Sequence, residues 1–153
     1  MDKIKVLFVC HGNICRSPMA EFLFKDMIKK NGHENDFYIA SCATSSEEIG
    51  NPIHSGTRKI LDSLGINYSG KRARKITKDD YELFDYIILM DEENKWGLRY
   101  VIPSDPKNKV HLLLEYAGLN RDIADPWYTG NFKETYNDIM MGLNAFYKKL
   151  MDK

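Results

Sequence analysis

The stretch Cys10-His11-Gly12-Asn13-Ile14-Cys15-Arg16-Ser17-Pro18 constrains this chain more than any other. An apolar run at residues 4–9 leads into it and reads as a buried strand. Met19-Ala20-Glu21-Phe22-Leu23 follows as the first turns of a helix. Ser17 suits an N-cap and Pro18 a first helical position, so the helix is expected over about residues 18–30. Cys10 then ends a strand, and Arg16 stands just before a helix N-terminus. Gly12 and Asn13 tolerate left-handed backbone, so the loop between can curl until its N–H groups converge on one spot. Such an anion nest has the helix dipole behind it. A thiol at its floor is favoured as the nucleophilic thiolate. An arginine at its rim can grip two phosphate oxygens at once. The arrangement suits attack of sulfur on phosphorus.

Cysteine followed six residues later by arginine is weak alone, with a chance occurrence of about one in eight for this composition. Cys10 as a buried strand-end thiol and Arg16 as a solvated loop charge is the plainer alternative. The agreement of strand, loop and helix signals favours the site.

The remaining chain alternates strand and helix. Further strands are expected at 37–42, 86–90 and 110–114, the 86–90 run being continuously apolar as in a parallel sheet. Helices are expected at 55–64, from a Thr77/Asp80 capping box to about 84, at 91–100, and after an Asn131 cap. In the last of these Phe132, Tyr136, Ile139, Met140, Leu143, Phe146 and Leu150 form one apolar stripe, a packing face. Residues 43–52 and 117–130 read as loops, and Lys71, Arg72, Arg74 and Lys75 as a solvated basic face. The alternation gives an α/β, doubly wound parallel sheet with its site beyond the strand C-termini.

The 153 residues suit one domain spanning 1–153. The 22 basic and 22 acidic residues balance, which argues against nucleic acid or an anionic membrane as main partner. No apolar run is long enough for a membrane span, and the first apolar run lacks the features of a signal peptide. Three cysteines, an odd count, argue against a disulfide framework and for a reducing, cytoplasmic setting. Histidines 11, 33, 54 and 111 show no zinc-type spacing with the cysteines, so no metal is expected.

The Cys10–Pro18 motif closely resembles the phosphate loop of the low molecular weight protein tyrosine phosphatases. The resemblance continues, in the family's order, through Thr44-Ser45 and Ile49-Gly50-Asn51-Pro52. It includes Ala73-Arg74-Lys75-Ile76-Thr77, Phe84-Asp85-Tyr86-Ile87 with Met90-Asp91, and Asp125-Pro126-Trp127-Tyr128. It implies four parallel strands flanked by about five helices, the phosphate loop following the first strand. It also implies hydrolysis of phosphotyrosine in proteins, and of small aryl phosphates, through a covalent phosphocysteine without a cofactor. Phosphate and other oxyanions would inhibit.

By the same resemblance Cys10 is the nucleophile, Arg16 and the amides of His11, Gly12, Asn13, Ile14 and Cys15 hold the phosphate, and Ser17 donates to the sulfur. Asp125 is the general acid, a role that its Asp-Pro setting alone would not establish. Trp127 and Tyr128 wall the substrate ring, Asn13 holds the curl, and Cys15 is the thiol that can capture oxidised Cys10. Glu47 and Glu48 fall in the family's variable substrate loop, where some members carry a large aromatic at the Glu47 position. Ala40 stands where some members have an acid.

Two other activities on this fold compare less well. Arsenate reduction needs a downstream cysteine pair, and no cysteine follows Cys42. Phosphoarginine phosphatases carry threonine at the position of Ile14, whose apolar side chain suits an aromatic ring better.

Overall fold

The computed structural model describes residues 2–152. Four strands, β1 (Ile4–Cys10), β2 (Phe37–Ala43), β3 (Tyr86–Leu89) and β4 (Val110–Leu112), form one sheet in the order β2-β1-β3-β4. All three pairings are parallel. The helices are α1 (Arg16–Lys30), α2 (Ser55–Ser63), α3 (Lys78–Leu83), α4 (Glu92–Arg99), α5 (Pro126–Thr129) and α6 (Phe132–Met151).

The pleat of β1 divides its side chains between two cores. Val6, Phe8 and Cys10 point into one with α1, α2 and α6, while Leu7 and Val9 point into the other with α3 and α4. Strand β3 does the same, with Ile88 on the first face and Ile87 and Leu89 on the second. Burial on both faces explains why these strands read as unbroken apolar runs. Because the chain leaves β1 for β2 on one side and reaches β3 on the other, the C-terminal end of β1 is the topological switch point, where doubly wound sheets open a crevice. Cys10 ends that strand.

Several boundaries differ from the sequence expectation. Helix α1 begins at Arg16, with Cys15 in the N-cap position and no side-chain cap. Ser17 is therefore not the N-cap: it is inside the first turn, and its hydroxyl is occupied by Cys10 and Asn13. Pro18 becomes the third helical residue, where a missing N–H also leaves no donor unsatisfied. Strand β4 stops at Leu112 because Leu113–Ala117 winds into a 3-10 turn that ends at left-handed Gly118. The expected 117–130 loop contains α5, capped by Asp125 with Pro126 first and closed by left-handed Gly130. This Asp-Pro start is a helix signal visible in the sequence, and it brings the α-helices among the described residues to six. The capping boxes at Thr77/Asp80 and the Asn131 cap form as expected.

Candidate active site

The loop after β1 is held open from outside. The Cys10 carbonyl accepts from Thr44 N–H (3.0 Å), that of His11 from Ser45 N–H (3.1 Å), and that of Ile14 from His54 N–H (2.9 Å). The Cys15 carbonyl accepts from Met19 N–H and from Thr57 Oγ1. In a trans peptide the C=O and N–H point opposite ways, so outward carbonyls turn the following N–H groups toward the loop's centre. Asn13 supplies the necessary left-handed residue at φ 60°.

At the centre lies the Cys10 sulfur. The N–H groups of Asn13 and Ser17 donate to it at 3.3 and 3.4 Å, and Ser17 Oγ is 3.0 Å away. Ser17 Oγ accepts from Asn13 Nδ2 at 2.7 Å, and its own proton has the sulfur as its nearer acceptor, the Cys42 carbonyl lying farther off at 3.4 Å. The other Asn13 N–H goes to Ser41 Oγ (2.9 Å), and Asn13 Oδ1 accepts from Arg74 N–H (3.2 Å). Ser41 Oγ donates to buried Glu21, whose carboxylate also pairs with Lys25 and Lys71. Hydrogen bonds thus run outward from the Asn13 amide, through Ser41 to the buried Glu21 carboxylate and through Ser17 to the sulfur, with no buried side-chain polar atom among the described residues left unpaired.

Arg16 is almost fully buried. Its Nη1 donates to Asp91 Oδ2 (2.6 Å) and the Ile123 carbonyl (2.8 Å), and its Nη2 lies 3.4 Å from Asp125 Oδ2. Burial alone would lower the guanidinium's pKa, but the negative partners Cys10, Asp91 and Asp125 raise it above its ordinary value. Asp91 also caps α4, which fixes it from behind. Asp125 Oδ1 accepts from Trp127 N–H at 3.0 Å, so the start of α5 aims this carboxylate at the arginine.

One cleft of about 130 Å³ is lined by Cys10, His11, Gly12, Ile14, Cys15, Arg16, Glu47, Glu48, Asp125, Trp127 and Tyr128. It gathers the expected site residues except Asn13 and Ser17. These two are buried behind the loop and hold the sulfur from below, so they do not line the space a substrate would enter. At the mouth His11 Nε2 meets Glu47 Oε2 at 2.9 Å, while Glu48 accepts from Asn51. Burial, followed by the charges of Cys10 and Asp125, pushes the Cys15 thiol up to about 12. Burial likewise pushes Cys42 up, away from the cleft.

The expected basic face is only half solvated. Lys71 donates to the Ser41 carbonyl and pairs with Glu21, and burial holds its ammonium below its ordinary range despite that partner. Arg74 pairs with Asp80 through both terminal nitrogens. Arg72 and Lys75 stay exposed. Sequence reasoning did not assign Asp91, Glu21, Ser41 or His54 a place at the site. For Asp91 the available signal was an acid directly after the third strand, the position where α/β sheets place site groups.

The model of the low molecular weight phosphotyrosine protein phosphatase family matches residues 5–153. The chain belongs to that family. It is 44% identical to the low molecular weight protein-tyrosine-phosphatase YfkJ of Bacillus subtilis, over 91% of this chain and 90% of that one. A Schizosaccharomyces pombe low molecular weight phosphotyrosine protein phosphatase is 39% identical over 96% and 97% of the two chains. The crystal structure of B. subtilis YfkJ superposes with a TM-score of 0.92 at 41% identity, covering 98% of this chain and 96% of that one. The Drosophila arginine phosphatase DARP superposes with a TM-score of 0.87 at 28% identity, over 98% and 99%. Family membership makes the protein a hydrolase of the tyrosine-phosphatase type. No helix among the described residues is long and apolar enough to cross a membrane.

Proposed function

We propose that the protein hydrolyses phosphotyrosine in proteins, and small aryl phosphates, with the whole chain serving as one phosphatase domain. The observation that carries this is the Cys10 sulfur, receiving three donors at the floor of a cleft whose wall holds Arg16 and Asp125. In this mechanism the N–H groups of the loop and the Arg16 guanidinium bind the non-bridging oxygens. Cys10 attacks phosphorus, the bond to the tyrosyl oxygen breaks, and Asp125 gives that oxygen a proton. Asp125 then takes a proton from the water that hydrolyses the phosphocysteine, releasing phosphate and the thiolate. Phosphate and other oxyanions compete for the same nest.

Ile14, Trp127 and Tyr128 supply the apolar surfaces that an aromatic ring needs, which favours phosphotyrosine over phosphoarginine. Glu47 and Glu48 give the mouth a preference for basic residues beside the phosphotyrosine. The cytoplasm is the setting consistent with three free cysteines.

Cys10→Ser should abolish turnover of a phosphotyrosine peptide while still binding phosphate. Assayed beside it, phosphoserine peptides and phosphoarginine should turn over far more slowly. Retained activity in the serine variant, or a preference for phosphoarginine, would contradict the assignment.

A further inference from the structure

His54 joins the two halves of the cleft. Its backbone N–H donates to the Ile14 carbonyl at 2.9 Å, which ties the start of α2 to the phosphate loop. Its Nδ1 accepts from Gly56 N–H at 3.0 Å, so the residue caps α2. The ring lies flat on Phe132, centroids 5.1 Å apart and planes 16° apart, and meets Trp127 edge-on at 5.7 Å and 79°. Gly56 leaves room for this stack, since a Cβ there would come within 2.4 Å of the Phe132 ring.

Trp127 is 59% exposed and belongs to a helix of only four residues. Its backbone N–H donates to Asp125, and its indole meets the His54 ring. An N-cap alone does not call for histidine, since Ser, Thr, Asp or Asn would serve Gly56 at least as well. The imidazole caps the helix and also presents an aromatic edge and face. Phe132, the first residue of α6, backs it from the other side.

We propose that His54 is a positioning residue for the aryl side of the cleft. It sets the Trp127 ring at a fixed distance from the phosphate loop, and so governs affinity for the aromatic part of the substrate without touching the phosphate. The proposal rests on the phosphotyrosine phosphatase assignment. The path it uses runs from the Ile14 carbonyl through the His54 main chain and ring to Trp127.

The test compares two variants, made where Trp96→Phe leaves Trp127 as the sole tryptophan of the chain's two. His54→Asn retains a capping oxygen and removes the ring. It should raise KM for a phosphotyrosine peptide about two- to tenfold, the worth of one aromatic pair. Its kcat and the Ki of inorganic phosphate should match the parent, and acrylamide should quench Trp127 more readily. His54→Phe retains the ring and loses the cap, so KM and quenching should stay near the parent while Tm falls.

Unchanged KM and quenching in His54→Asn would overturn the proposal. So would parallel rises in KM and phosphate Ki, because they would mean that the phosphate loop itself had moved through Ile14. If the parent fails to hydrolyse phosphotyrosine, the functional assignment falls, and quenching alone still decides whether His54 sets Trp127.

Discussion

Asp125 contacts two groups through different oxygens: Oδ1 faces the Trp127 N–H and Oδ2 faces Arg16. In the proposed mechanism a phosphate bound by Arg16 would compete with Oδ2 for the guanidinium, and Asp125 would give its proton to the leaving oxygen. Asp125→Asn should lower kcat for phosphotyrosine about 10²- to 10⁴-fold, the usual range for a general acid. Phosphate inhibition should persist, because the loop N–H groups and Arg16 that bind it are unchanged. The deficit should shrink for aryl phosphates whose phenol leaves readily without a proton, and equal losses across a series of leaving groups would remove Asp125 from this role. Cys15 offers a second test at the same scale. With its pKa pushed up to about 12 by burial and by the charges of Cys10 and Asp125, it is a thiol at neutral pH. We expect it to capture peroxide-oxidised Cys10: the Cys15 thiolate attacks the sulfenic sulfur, the S–S bond forms, and hydroxide leaves. Burial, the first cause of the raised pKa, persists once Cys10 is oxidised, so the thiolate fraction, and with it disulfide closure, should increase steadily from about pH 6 to 9. Cys15→Ser should stay active yet recover poorly with dithiol after peroxide. A closure rate indifferent to pH, or peptide maps without a Cys10–Cys15 link, would make Cys15 purely structural.

Among the elements, α1 is tuned to an anion rather than to its own capping. It has no acidic residue in its first turn and no capping side chain from its N-cap residue Cys15, so the Ser17 N–H is given to the Cys10 sulfur. Helix α3 shows the opposite solution. Asp80 accepts from Thr77 N–H (2.8 Å) and from both terminal nitrogens of Arg74 (2.9 and 3.0 Å). Burial alone would raise the Asp80 carboxyl's pKa, but the hydrogen bonds from Arg74 and Thr77 and the guanidinium charge hold it below the usual carboxylate value. A folded pKa below the unfolded one stabilises the fold above the unfolded value, and the contribution is lost as pH falls through the folded value. Asp80→Ala should therefore destabilise the protein by about 1–2 kcal/mol at pH 7, the range for a lost cap. Urea unfolding in acid should find the variant and the parent closer together, and a constant gap at all pH values would exclude the linkage.

For the whole molecule, the core on the α1, α2 and α6 face converges on Phe146. Its ring lies 5.4 Å from Phe24 of α1, 5.3 Å from Tyr86 of β3 and 4.7 Å from Tyr116 of the 3-10 turn, and it is fully buried. Four parts of the chain thus share one side chain, at a level of the fold that the cleft does not reach. Phe146→Ala should cost about 3–5 kcal/mol of stability by cavity formation. Urea unfolding should show this as a lower midpoint, while KM of the folded fraction stays at the parental value. A KM that rises with the loss of stability would mean that the core and the cleft are coupled.

The four strands, the two-faced sheet and the position of the loop at the end of β1 were all legible from local pattern. The short apolar runs at residues 4–9 and 86–90, bounded by turn signals, read as buried strands, and alternation with helical periodicity leaves few topologies. Cys10, Arg16 and the curl at Asn13 were legible for the same reason, since the loop is built from adjacent residues. The resemblance already aimed Ser17 Oγ at the sulfur. Only the tertiary structure decided that Ser17 is not also an N-cap and that α1 begins at Arg16 without a side-chain cap. It likewise decided that Arg16 rests on Asp91, 75 residues away, that Glu21 ends the donor chain under the loop, and that His54 reaches both Ile14 and Trp127. Lys71 and Arg74 read as solvated because charge runs usually are, and what made them partners was the burial of Glu21 and Asp80 beneath them. Hydrophobic periodicity reports which face of an element is buried, whereas a polar side chain's partner depends on which distant element the sheet order brings beside it.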